Sequence, residues 1–171
     1  MSKERPREFT QEDLKIGLIS KDISPDSFLK KILELDQSTP GREESLKNLA
    51  LLEDEDVRKI FEGGDYVSDY WNLLSFTYFH VGQIESMSGS VKAITFFESA
   101  LLMAEKVDWE EYEIHWKYYV EATVAYFKKD INKLEEIFLK MEEGRNKEIV
   151  GNFIKGLKLR GDINYQEDYC Q

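Results

Sequence analysis

The chain has 171 residues, of which 42% are apolar and 33% charged, a balance that can bury a core in one domain or in one domain with a short appendage. Its formal net charge of −11 disfavours the phosphate backbone of a nucleic acid and an anionic membrane surface, both of which need a basic footprint. The one cysteine, Cys170, excludes an intrachain disulfide and a cysteine-cluster metal site.

No apolar run reaches the roughly 20 residues that span a bilayer. The start of the chain carries charge but no apolar stretch of the secretory type, so a cytoplasmic setting is the expectation. Prolines occur only at Pro6, Pro25 and Pro40, which leaves residues 41–171 open to long helices.

Residues 1–10 are charged and proline-interrupted, and a flexible N-terminus is expected there. A short helix follows over Gln11–Ile19. Ser24 is placed to cap the next helix, with Pro25 and Asp26 in its first turn and Phe28, Leu29, Ile32, Leu33 and Leu35 as its apolar stripe. That helix stops before Pro40, which disfavours helical geometry in its predecessor. Residues 43–52 place Leu46, Leu49, Ala50 and Leu52 on one face. A short helix from Asp54 or Glu55 to Phe61 turns Val57, Ile60 and Phe61 inward and ends at Gly63-Gly64.

Stronger signals begin at Asp65. Helices are expected over residues 65–81, 91–107, 110–128, 131–142 and 146–159, with a serine- and glycine-rich loop at 82–90 and a polar C-terminal tail at 162–171. No segment alternates with period two, so strands are not expected. The fold class is therefore all-α, with one helical domain over 11–161.

Within this region one ladder repeats. Trp71, Leu74, Ser75, Tyr78 and Gly82 are followed by Ala93, Phe97 and Ala100. Trp116, Tyr119, Val120, Thr123 and Phe127 are followed by Leu134, Phe138 and Met141. Val150, Phe153, Ile154, Leu157 and Gly161 restart the first half. Small residues at Ala93, Ala100 and Ala104 let two helix backbones approach, while Trp71 and Phe97 fill the space beside them.

Over residues 65–161 this ladder resembles the tetratricopeptide repeat, with its W-x2-L-G-x2-Y first helix and its A-x3-F-x2-A second helix. Ser75 stands where the family has glycine, the turn after the first helix reads about six residues longer, and the tryptophans lie 45 residues apart. The resemblance implies antiparallel helical hairpins stacked as a short α-solenoid; the wider alternative is an irregular helical bundle. It also implies that the first helix of each pair lines a concave groove.

Asn72, Phe76, Phe79 and His80 would face a ligand in that groove, with Lys117 and Glu121 from the next helix and Gly151, Lys155 and Lys158 from the last. The three lysines beside the aromatic pair Phe76 and Phe79 suit an acidic peptide or a terminal carboxylate.

Catalytic signatures are not found. His80 and His115 are the only histidines, and Glu111 lies one helical turn before His115, but two ligands do not make a metal site. There is no phosphate-binding loop, no dinucleotide fingerprint and no nucleophile elbow. Cys170 lies among acidic residues that do not activate a thiolate. The expectation is a protein–protein interaction module without cofactor, metal or catalytic residues, binding a protein or peptide partner and neither nucleic acid nor membrane. The alternatives are a structural bundle acting through homo-oligomerisation, as a homodimer, and a small-molecule or enzymatic pocket among the aromatics.

Overall fold

Local capping starts several helices where side-chain chemistry places them. The Thr10 hydroxyl accepts from the Asp13 N–H and the Asp13 carboxylate accepts from the Thr10 N–H, a reciprocal cap on α1 (Gln11–Ile19). The Ser24 hydroxyl caps α2 (Pro25–Gln37) by accepting from the Ser27 N–H, with Pro25 in the first turn. Further helices follow as α3 (Arg42–Glu53), α4 (Glu55–Phe61), α5 (Val67–Met87), α6 (Ala93–Ala104), α7 (His115–Phe127), α8 (Ile131–Lys140), α9 (Arg145–Arg160) and α10 (Tyr165–Cys170).

This computed structural model describes residues 9–110 and 112–171, and all regular structure in them is helical. The expected flexible start falls outside the described residues except at positions 9 and 10, as does Glu111. Among the described residues no helix is long and apolar enough to cross a membrane. Where one domain over 11–161 is expected, the chain packs as two compact units divided between Tyr70 and Trp71.

In the first unit Phe28, Ile32, Leu52, Val57 and Phe61 are fully buried, whereas Ala50 and Ile60, expected inward, are exposed. Tyr70 stacks on Phe61, ring centroids 4.9 Å apart, and its hydroxyl donates to the Leu52 carbonyl. Burial pushes that phenol up to about 12. Asp54 caps α4 and also holds Lys15 of α1 at 2.6 Å, which draws its carboxyl below the ordinary range.

The second unit is built from antiparallel neighbours. Ser75 of α5 donates to the Ala100 carbonyl of α6 at 2.9 Å, and Phe79 meets Phe97 edge-on at 5.0 Å. Phe127 of α7 packs on Phe97, Lys133 of α8 pairs with Glu121 of α7 at 3.1 Å, and Lys158 of α9 pairs with Glu135 of α8. α7 runs beside α5 in the same direction, with Trp116 against Phe76 and Tyr119 against Phe79. The ladder faces inward: Trp71, Leu74, Ser75, Ala93, Phe97, Ala100, Val120, Leu134 and Phe153 are all buried.

Two boundaries differ most from expectation. α5 does not stop near Val81 but continues to Met87, so the turn is short. Gly82 sits inside the helix because the Phe97 ring lies 2.9 Å from where a Cβ would be. Ser86 donates to the Gly82 carbonyl at 2.8 Å, a bond that keeps a serine compatible with the helix interior. The turn comes instead at Gly89, whose φ of 73° only glycine takes readily. α7 begins at His115 rather than near 110, which leaves 108–110 and 112–114 outside any helix.

The expected polar tail contains α10, docked on α9. Tyr165 is buried with its ring 5.7 Å from Phe153 and 5.6 Å from Phe127. The Asp168 carboxylate, 1% exposed, accepts from the Tyr126 hydroxyl at 2.6 Å and pairs with Arg160. A buried carboxylate persists only with such partners. Burial and the adjacent Asp168 raise the Tyr126 phenol, so it stays a donor.

Gly156 makes this docking possible, because a Cβ there would overlap the Asp168 carboxyl. In an exposed helix Gly→Ala stabilises by up to about 1 kcal/mol. Here Gly156→Ala reverses that sign and costs about 2 kcal/mol through overpacking. Denaturant unfolding measures the loss, and hydrogen exchange of residues 162–171 rises because α10 is released first.

Candidate functional site

Ser75 is small enough for α5, α6 and α7 to converge on it, and its hydroxyl satisfies two of them. It donates to Ala100 and accepts the Trp116 indole N–H at 3.1 Å. That second bond fixes the Trp116 ring 4.1 Å from Phe76, with Phe79 behind it at 5.0 Å. The half-buried pair Phe76 and Trp116 forms one wall of a recess of about 570 Å³.

The opposite parts of the recess come from two connecting segments. Residues 108–114 supply Trp109, Tyr112 and Glu113. Trp109 is pinned by its indole N–H to the Ala104 carbonyl at the end of α6, 2.8 Å away, and meets Tyr112 edge-on at 6.5 Å. The α8–α9 turn supplies Met141, Glu142, Glu143 and Gly144, and the first turn of α9 adds Arg145, Asn146 and Lys147. Gly144 begins α9 without a side-chain cap. Lys147 pairs with Glu143 at 2.8 Å and lies 5.0 Å over the Phe138 ring.

Polar groups on this wall are incompletely matched. Asn72 Oδ1 and His115 Nδ1 are buried and have no hydrogen-bond partner among the described residues. Such atoms are uncommon because an unmade bond costs about 1–3 kcal/mol. His115 Nε2 lies 3.3 Å from Glu142. One donor atom each from Glu113, His115 and Glu142 falls within 4.8 Å of the others, a spacing that suits a cation, metallic or organic. The arrangement can thus receive aromatic or long aliphatic groups on its walls, hydrogen-bond a donor at Asn72, and face positive charge at Glu113 and Glu142.

The expected groove residues divide. Asn72 and Phe76 line the recess. Phe79 does not: it is 1% exposed and packed among Phe97, Trp116 and Tyr119, so it belongs to the core. His80, Lys117, Glu121, Lys155 and Lys158 lie outside the recess lining. Glu121 pairs with Lys133 between α7 and α8, and Lys158 with Glu135 between α8 and α9. Gly151 instead lines a separate shallow depression with Glu135, Phe138, Leu139 and Ile154. The three lysines therefore do not converge on the aromatic wall.

Sequence reasoning missed Trp109, Tyr112, Glu113, Glu142 and Arg145, and it weighed His115 only against Glu111. Two aromatics inside the charged run 108–113 were the available signal, since a solvated loop seldom carries them without burying them. Compared with known proteins, the chain matches no family model, no curated protein and no solved structure.

The Ser75 junction makes the wall testable. Ser75→Ala strands the Trp116 N–H and costs about 2 kcal/mol. Ser86→Ala, which removes a half-buried hydroxyl bonded within its own helix, costs less than about 0.5 kcal/mol by contrast. Paired denaturant titrations measure both.

Proposed function

We propose that the chain is a protein–protein interaction module whose second unit holds an extended segment of a partner protein in the recess between Phe76, Trp109, Tyr112 and Trp116. The carrying observation is Asn72 Oδ1, a buried acceptor without a partner on the wall of an aromatic-lined recess. A bound backbone N–H supplies the missing donor, and a long side chain of the same segment fills the space between the rings. Aromatic walls give contact area at little entropic cost, which is how peptide sites combine apolar anchoring with a few fixed polar contacts.

The side-by-side α5 and α7, each backed by an antiparallel partner, support the tetratricopeptide-like reading of the ladder and the groove it implies. On this reading the module acts by binding, without cofactor or chemistry. Its acidity and the scatter of its lysines remove the basis for an acidic or carboxylate-ended ligand.

Selection of phage-displayed heptapeptides on the whole chain tests the proposal. Peptides enriched on the wild type lose at least about tenfold in affinity on Tyr112→Ala and on Asn72→Leu, the equivalent of about 1.4 kcal/mol. Asn72→Leu also melts at the same temperature or higher, because it removes an unpaired buried acceptor. Selected peptides that bind all three proteins equally, or a selection that enriches nothing, overturn the proposal.

A further inference from the structure

The mouth of the recess carries more information than its walls. Glu113 and Glu142 approach from different segments, one before α7 and one after α8, and present carboxylate oxygens within 4.8 Å of each other and of a His115 nitrogen. Like charges held that close repel, and among the described residues no lysine or arginine is paired with either. Glu113 makes no ion pair among the described residues, and Glu142 has only His115 at 3.3 Å. The nearby Lys147 is committed to Glu143. Arg145, exposed on the α9 side of the rim, is ion-paired to neither.

The same recess is lined by two indoles and a phenol, those of Trp109, Trp116 and Tyr112. The negative face of an aromatic ring attracts a cation, and indole does so best. The protein already uses this contact at Trp71, where Lys106 Nζ sits 4.1 Å from the ring centroid. Carboxylates at the rim of an aromatic recess match a positive charge at the end of an apolar stem. A long-range field from a chain of charge −11 steers the same kind of ligand inward.

Building on the peptide-binding reading, we infer that the side chain seated in the recess is basic, arginine above all, with its guanidinium between the Glu113 and Glu142 carboxylates and its plane against Trp109, Tyr112 or Trp116. Arginine fits better than lysine because a planar group with five donors serves two separate carboxylates at the usual spacing of about 2.8 Å while still stacking on a ring. The two carboxylates act as specificity determinants, and the rings supply affinity shared by any long side chain.

The test uses the whole chain and three host peptides, acetyl-Ala-Ala-Xaa-Ala-Ala-amide with arginine, norleucine or glutamate at Xaa. Affinities are read from backbone amide shifts and tryptophan emission. The arginine peptide binds at least tenfold more tightly than the norleucine peptide, and the glutamate peptide more weakly than either. In Glu113→Gln/Glu142→Gln the arginine advantage falls to less than twofold while norleucine binding is unchanged. Equal binding of arginine and norleucine overturns the inference and leaves the peptide-binding reading standing. Preference for glutamate overturns it in favour of an anion at Arg145 and the start of α9. An arginine advantage that survives the double substitution shows that other groups read the charge. If none of the three peptides binds, and library selection also enriches nothing, both readings fall.

Discussion

The Ser75 hydroxyl is the point on which the second unit turns. A residue at that position must be small, because α5, α6 and α7 all come near it. It must also be polar, because the Trp116 indole N–H reaches the same spot. Glycine would meet the first demand and fail the second; a larger polar residue would do the reverse. Serine donates to Ala100 and accepts from Trp116, so one buried atom ties together a hairpin and the next helix. A serine at this position is thus explained by its neighbour, since a tryptophan presenting its N–H there requires an acceptor.

From that tie the recess follows. Trp116 is fixed, Phe76 lies against its ring, and Phe79 is held beneath by Phe97 and Tyr119. The aromatic stripe on α5 therefore splits one turn apart. Phe76 is left half-buried on the wall while Phe79 becomes core, although both share a helix face by period alone. Periodicity states which residues share a face, but only the approach of a second helix decides how far along that face burial extends.

Helix positions were legible for the same reason that the deeper site was not. The cap at Ser24, the proline at 25 and the large-small ladder are local rules, and the helices they predict stand nearly where expected. The continuation of α5 to Met87 depends on Phe97 filling the space beside Gly82, a contact fifteen residues away in sequence. α10 depends on Asp168 finding Tyr126 and Arg160, without which a helix so short and acidic would not hold. The recess draws on 108–110, 112–114 and 141–144, connecting residues with no period to read, which a helix-face argument passes over. Of the three lysines expected on one inner face, Lys158 is drawn instead to Glu135 of α8, and Glu121, expected beside them, is taken by Lys133.

The unmatched atoms at the recess say what kind of place it is. Elsewhere in the second unit Ser75 and Thr123 bond backbone carbonyls and Asp168 Oδ2 takes both a phenol and a guanidinium, while Asp168 Oδ1 and the Tyr119 hydroxyl are also without a hydrogen-bond partner among the described residues. Asn72 Oδ1 and His115 Nδ1 remain without partners. A leucine at 72 would cost the folded state nothing that the structure reveals. Retaining an amide there means accepting a lower stability, and natural chains do so chiefly where a site requires it. The same holds at the rim, where two carboxylates lie close together and, among the described residues, no lysine or arginine pairs with either. Local frustration of both kinds, hydrogen-bonding and electrostatic, meets at one recess, and a single ligand with an N–H donor and a positive charge relieves both.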